Sequence, residues 1–299
     1  MSQIGHLIAC PVCNANDIRL WNNVRDHSVT NEQFPVFECG RCSVRFTQNP
    51  PCVTAMARYY QAQHYVSHNE TREGLINYLF HRVRSITLLQ KRKWVQRYTR
   101  KQAGMHLDYG AGTGAFVHHM ELAGWNSIGM EPDTGARERA LQLYNVPVFD
   151  ANEDAIILPG TYNAITLWHV LEHVHSLHET LERLKNALAP GGCLFIAVPN
   201  YTAADAQHYG VNWAAYDVPR HLYHFSPASM QQLLQQHELQ IIALQPMWFD
   251  SFYVSMLSEK YRGGSMLKAI WQGLRSNLRA LANPALCSSV VYIATRKSG

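Results

Sequence analysis

Little of this chain is charged, and none of it is long and apolar. Asp, Glu, Lys and Arg make up 16% of its 299 residues, with a formal net charge of +4. So mild a basic balance does not by itself point to a polyanionic partner. No apolar run reaches the roughly 18 residues that a membrane-spanning helix needs. The first residues, Met1-Ser2-Gln3-Ile4-Gly5-His6, lack the charged and apolar regions of a secretory signal, so a cytoplasmic protein is expected. Internal repeats and low-complexity tracts are absent, which excludes a solenoid or an array. What remains, 47% of it hydrophobic, is enough for one full α/β domain and a small module.

Cysteine is present, and its spacing is informative. Four of the seven cysteines form two C-x2-C knuckles, Cys10/Cys13 and Cys39/Cys42. Each knuckle aims two sulfurs at one point, and four thiolates complete a tetrahedron around structural Zn2+ with no open position for catalysis. In a cytoplasmic protein this use is favoured over disulfides. Cys52, Cys193 and Cys287 read as small apolar residues.

The most informative stretch is Leu107-Asp108-Tyr109-Gly110-Ala111-Gly112-Thr113-Gly114-Ala115-Phe116. An apolar run ends in a carboxylate, glycines alternate with small residues, and a helical pattern follows. This is a strand turning into a helix around a ligand held against bare backbone. Gly110, Gly112 and Ala115 also satisfy the dinucleotide pattern G-x-G-x-x-G/A. Asp108 argues against that reading, because a pyrophosphate at a helix N-terminus wants amide donors and no nearby anion. It suits the ammonium and sulfonium of S-adenosyl-L-methionine. The next strand, Ser127-Ile128-Gly129-Met130-Glu131, ends in an acid placed to accept two ribose hydroxyls.

This stretch resembles motif I of class I S-adenosylmethionine-dependent methyltransferases, and the likeness extends from about Met105 to Val198. Tyr162 to Val174 resembles the fourth strand and the helix after it. Leu188 to Pro199 resembles the loop and fifth strand. The resemblance implies that Asp108 and Gly110 hold the methionine part and Glu131 the ribose, with Gly112 among the cofactor-binding residues and Gly114 letting the chain pass close to the methionine part. It places Asp150 and Ala151 near the adenine, with Trp168 and His169 lining the cofactor. It also implies a doubly wound, seven-stranded Rossmann-like sheet, whose antiparallel last strand, Ser289 to Ala294, lies beside strand five.

Three regions are expected: a zinc-ribbon module (1–50), a helical linker or cap (51–102), and the methyltransferase domain (103–299) with a helical insertion (247–288). Short strands are expected around Arg19-Leu20-Trp21 and Val36-Phe37-Glu38 in the module. Tyr59, Tyr60, His64 and Tyr65 lie in the linker, which either covers the cofactor or simply packs. In the insertion, Leu267, Ile270, Trp271, Leu274, Leu278 and Leu281 share one helical face, with Lys268, Arg275 and Arg279 away from it. Such a helix either rests on a membrane surface or packs on its own domain as a lid, and the lid is the favoured reading.

His169-Val170-Leu171-Glu172-His173 spells H-x-x-E-H, a zinc-hydrolase pattern, in the wrong context: it leaves a strand above the cofactor, and no distant third ligand is evident. Glu172 and His173 are expected near the pocket or in packing. The acceptor side is expected at Tyr216 to Pro227. This segment resembles the P-x-H-L-x-x-F-S element of a bacterial methyltransferase subgroup found with glycan or secondary-metabolite genes. The resemblance maps a base to His221, with His224 and Tyr223 as substitutes; Ser226 would cap the following helix.

The leading function is methyl transfer to oxygen or carbon of a small-molecule acceptor: a sugar, a quinone-like or a lipid-linked compound. The second is RNA methylation through the zinc module and a basic stretch (Arg82, Arg84, Lys91, Arg92, Lys93, Arg97, Arg100, Lys101), although such a helix is more often a solvated face. The third is a non-catalytic, cofactor-binding adaptor. A small-molecule partner is favoured over nucleic acid, peripheral membrane contact is left open, and no motif sets the oligomeric state.

Overall fold

The computed structural model describes residues 6–60, 75–151, 153 and 156–297. His64 and Tyr65 therefore lie outside the described residues. Two sheets organise the chain. The smaller is four-stranded and antiparallel: β1 (Ile18–Arg25), β2 (Gln33–Cys39), β3 (Arg45–Thr47) and, from far along the sequence, β9 (Tyr223–His224). Both strands expected from sequence are present, within β1 and β2.

The larger sheet has seven strands. In chain order they are β4 (Met105–Tyr109), β5 (Asn126–Met130), β6 (Val148–Phe149), β7 (Tyr162–Trp168), β8 (Leu188–Pro199), β10 (Leu239–Pro246) and β11 (Ser289–Arg296). Their spatial order is β10-β11-β8-β7-β4-β5-β6. Strands β8, β7, β4, β5 and β6 run parallel, while β11 is antiparallel to both β8 and β10. This is the doubly wound, seven-stranded sheet expected from sequence, with its antiparallel last strand beside β8.

Sequence accounts for the sheet centre. In β7 and β8 the runs Ala164-Ile165-Thr166-Leu167 and Cys193 to Val198 are buried without alternation, as strands covered on both faces must be. The chain order reverses where β4 lies between β5 and β7, and ligands of such sheets bind outside the strands' carboxyl ends at that point.

The helices are α1 (Val53–Met56), α2 (Leu75–Thr99), α3 (Ala115–Glu121), α4 (Thr134–Tyr144), α5 (Leu177–Ala187), α6 (Ala204–Tyr209), α7 (Pro227–Gln236), α8 (Asp250–Tyr261) and α9 (Met266–Ala282). Ser226 caps α7 in a reciprocal pair with Ser229, with Pro227 in the first turn. No helix among the described residues is long and apolar enough to cross a membrane.

Candidate active site and metal centre

Strand β4 delivers Asp108 and then turns sharply. Gly110 has φ +80°, its N–H donates to Met130 O (2.7 Å), and a Cβ there would fall 2.3 Å from Val170. Only glycine fits that crossing. Gly112, at φ +53°, donates its N–H to Glu131 Oε2 at 2.9 Å, and Gly114 is the N-cap of α3. The other Glu131 oxygen accepts the Asp133 N–H (3.0 Å). Burial raises the Glu131 pKa. The five predicted residues Asp108, Gly110, Gly112, Gly114 and Glu131 thus meet at the carboxyl ends of β4 and β5.

Asp108 is buried and accepts a hydrogen bond from Thr166 Oγ1 (2.6 Å). Burial lifts its pKa to about 6, against the opposing pull of Thr166 and Lys91. Lys91, on α2, reaches in with Nζ 4.3 Å from the Trp168 ring centroid; burial lowers its pKa to about 8. Trp168 stands edge-on to Phe116 at 5.4 Å, and its buried indole N–H has no hydrogen-bond partner among the described residues. At the end of β6, Asp150 pairs with Arg137 (2.9 Å), whose guanidinium also donates to Glu131 O (2.7 Å). Ala151 follows in a turn. Two carboxylates, a glycine turn bare of side chains and an indole N–H without a partner among the described residues fit a cationic nucleoside such as S-adenosylmethionine.

The segment after β7 forms a second cluster. His169 sits at φ +58°, with Nε2 2.8 Å from Asp250 Oδ2 and Nδ1 3.4 Å from Glu172 Oε1. Burial disfavours charge on this ring, yet the two carboxylates outweigh it and hold the pKa at about 10. His169 is therefore a cation at neutral pH and not a base. Glu172 is 1% exposed, and the His169 ring beside it holds its pKa below the usual carboxylate range despite burial.

His173 and His221 complete this cluster. Their rings meet edge-on with centroids 4.5 Å apart. Each has Nδ1 against a backbone carbonyl: His173 at Arg220 O (3.0 Å) and His221 at Ala215 O (2.8 Å). A carbonyl only accepts, so Nδ1 carries a proton in each ring; burial lowers the His173 pKa to about 4, which leaves Nε2 of that ring an acceptor. Glu172, His173 and His221 each offer one ligand atom, all within 4.8 Å of one another, a set that can share a proton or hold a divalent cation. The sequence shows no third partner for the H-x-x-E-H pair; the fold supplies His221, and His169 turns away to Asp250.

The loop carrying His221 is pinned by Arg220, which is 1% exposed. Its guanidinium bridges Asp26 (3.0 Å) and Asp217 (2.6 Å) and donates to Tyr59 O (2.8 Å). Thr47 on β3 donates through Oγ1 to His221 O (2.7 Å) and through its N–H to Leu222 O (2.9 Å). Tyr223 and His224 form β9 and are buried; the Tyr223 hydroxyl is 3.4 Å from His175 O. Burial drives the His224 pKa well down, and Nε2 lies 3.4 Å from Thr47 Oγ1.

In the small sheet Cys10, Cys13, Cys39 and Cys42 converge with all four sulfurs within 4.8 Å. Sγ–Sγ distances are 3.5 Å for Cys10–Cys42 and for Cys13–Cys39. The Val12 and Cys13 amides point at Cys10 Sγ, each at 3.4 Å. Four sulfurs at this spacing, with amides directed at one, fit tetrahedral Zn2+.

Three contributors escape sequence reasoning. Asp250 opens α8 without a motif around it. Lys91 sits in a basic stretch that reads as a solvated face, yet it points into the site. Arg220 adjoins His221 in a segment already singled out, and its signal was a charge beside a candidate base.

A family model for a methyltransferase domain matches residues 79–244. An uncharacterized methyltransferase of Alkaliphilus oremlandii is 29% identical over 100 residues, covering 32% of this chain and 46% of that protein. A ubiquinone biosynthesis O-methyltransferase of Colwellia psychrerythraea is 29% identical over 101 residues, covering 31% of this chain and 41% of that protein. The matches thus span less than half the length of these relatives. Among solved structures, magnesium protoporphyrin IX methyltransferase of Synechocystis with bound SAH is similar at 14% identity and a TM-score of 0.49, covering 76% of this chain and 90% of that one.

Proposed function

The chain belongs to the methyltransferase-domain family, and we propose that it transfers a methyl group from S-adenosylmethionine to an oxygen or carbon of a small acceptor. The acceptor classes in view are a sugar, a quinone-like ring or a lipid-linked compound. One relative is named for O-methylation in ubiquinone biosynthesis, which supports an acceptor of that kind. The observation that carries the reading is the meeting of Glu131 with the Gly112 amide beside buried Asp108. Bound there, the cofactor supplies an electrophilic methyl on a cationic sulfur.

The chain's own residues do the rest. Asp108 offers an anion to the ammonium, and Glu131 accepts from the ribose. Asp150 and Ala151 flank the adenine side, while Trp168 and His169 border the methionine side. His221, its Nδ1–H fixed by Ala215 O, takes the acceptor's proton at Nε2 as the new bond to methyl forms. Glu172 stabilises the imidazolium that results. His224 and Tyr223 hold β9 against β3 and so fix the loop. Cys10, Cys13, Cys39 and Cys42 hold structural Zn2+, which shapes the sheet on which that loop leans. A structure with S-adenosylhomocysteine tests this: its sulfur should face the Glu172–His173–His221 cluster across an acceptor-sized gap. A sulfur on the far side of Trp168 from the cluster would defeat the reading.

A further inference from the structure

Helix α9 is built inside out. Its buried residues are Ala269, Gly273, Ser276 and Ala280, all small. They let the helix lie close on α8: a Cβ on Gly273 would fall 3.0 Å from Phe252 Cα. The large apolar residues face outward, with Leu267 80%, Leu281 70% and Trp271 61% exposed. Ile270, Leu274 and Leu278 lie on the same exposed side. A lid packed through its apolar stripe would bury these six side chains against its own domain; here the helix packs through its small residues and the stripe faces outward.

At about 100° per residue the six occupy a continuous arc of roughly 100°. Lys268, Arg275 and Arg279 are exposed on the arc just beyond Trp271. After Glu259 the sequence contains no Asp or Glu at all. At the corner joining α8 to α9, a cavity of about 360 Å³ opens between Tyr253, Met256, Leu257 and Met266, extending the apolar surface past the helix start.

We propose that α9 is an interfacial helix that docks this protein on an anionic lipid bilayer. Charge selects the occupant. An apolar stripe bordered by cations on its polar side is what a headgroup layer of negative charge receives, with the stripe in the acyl boundary and the long basic side chains reaching the phosphates. A second copy would bring the same cations and no acid from its own α9 to meet them. A single stripe on a 17-residue helix also falls well short of the roughly 800 Å² per partner that stable protein interfaces bury. The inference stands whether or not the protein transfers a methyl group.

Co-sedimentation of the 299-residue chain with vesicles tests it directly. Binding to phosphatidylcholine vesicles containing phosphatidylglycerol is expected, about tenfold or more tighter than to phosphatidylcholine alone and weakened by salt. The triple variant Lys268→Gln, Arg275→Gln, Arg279→Gln should bind about a hundredfold more weakly, as three basic side chains at a surface predict. The double variant Trp271→Asp, Leu274→Asp should lose binding while keeping the wild-type circular dichroism and melting temperature, since both side chains are exposed. Absence of vesicle binding by folded protein at low salt would overturn the proposal. So would binding that survives the double variant, or self-association in sedimentation velocity that the double variant abolishes while vesicle binding is unchanged.

Discussion

Glu131 stands at the end of β5 with one carboxylate oxygen 2.9 Å from the Gly112 amide, which donates to it across the glycine loop. The carboxylate is thereby fixed before any ligand arrives, with the Asp133 amide on its other oxygen. A preset acceptor loses little freedom on binding. Replacing Glu131 by Gln keeps the shape and removes the charge. A charged hydrogen bond contributes about 1.5–3 kcal/mol. Glu131→Gln should therefore weaken S-adenosylmethionine by roughly ten- to a hundredfold in calorimetry, with the melting temperature of the free protein nearly unchanged.

Asp108 makes that affinity depend on pH. Burial lifts its pKa to about 6, so below that value it is protonated and offers the ammonium no anion. Affinity should rise as pH climbs from 5 to 7 through about 6, and Asp108→Asn should flatten the profile at the low-affinity level. Stability moves the opposite way. The folded state holds this proton more tightly than the unfolded chain, whose aspartates titrate near about 4, so Asp108 costs stability as pH rises from there through about 6. Asp108→Asn should remove this decline from the pH series of thermal melts.

Arg220 ties the small sheet to the loop that carries His221. Replacing it by Met leaves Asp26 and Asp217 without their buried cation. Breaking a buried pair from one side costs about 3–5 kcal/mol. Urea unfolding of Arg220→Met should show a loss of that size. The double change of Asp26→Asn with Arg220→Met should recover part of it, because one stranded charge is gone.

Metal removal should reach the same loop from the other direction. Strand β3 pairs with β2, which carries Cys39, and with β9. Thr47 on β3 holds the backbone of His221 and Leu222. The protein is expected to contain stoichiometric zinc by mass spectrometry of the metal. Chelation or Cys39→Ser should lower the melting temperature and slow turnover, while S-adenosylmethionine affinity stays within about twofold, because no cysteine of the cluster lies in the glycine loop.

The parts legible in sequence are those whose physics is local. The glycine loop shows because φ above zero at Gly110 and Gly112 admits few other residues, and the cysteine knuckles show because two sulfurs three apart converge on their own. Strands β7 and β8 show as mainly apolar runs. What sequence hides is non-local. Tyr223–His224 is too short to read as a strand and exists because β3 offers an edge. Asp250 meets His169 only after α8 folds over the sheet. Helix α9 misleads for a different reason. Its apolar stripe reads as the packed face, whereas the small residues opposite are the buried ones, with Gly273 against Phe252 of α8 and Ser276 donating to Asp205 of α6.

Calorimetric titration of S-adenosylmethionine into the protein shows whether the glycine loop, Asp108 and Glu131 hold this cofactor. Saturable binding near one cofactor per chain is predicted, retained with S-adenosylhomocysteine and absent with NADH, whose pyrophosphate Asp108 repels. No heat from folded protein at high micromolar S-adenosylmethionine, or tighter binding of NADH, would contradict the account.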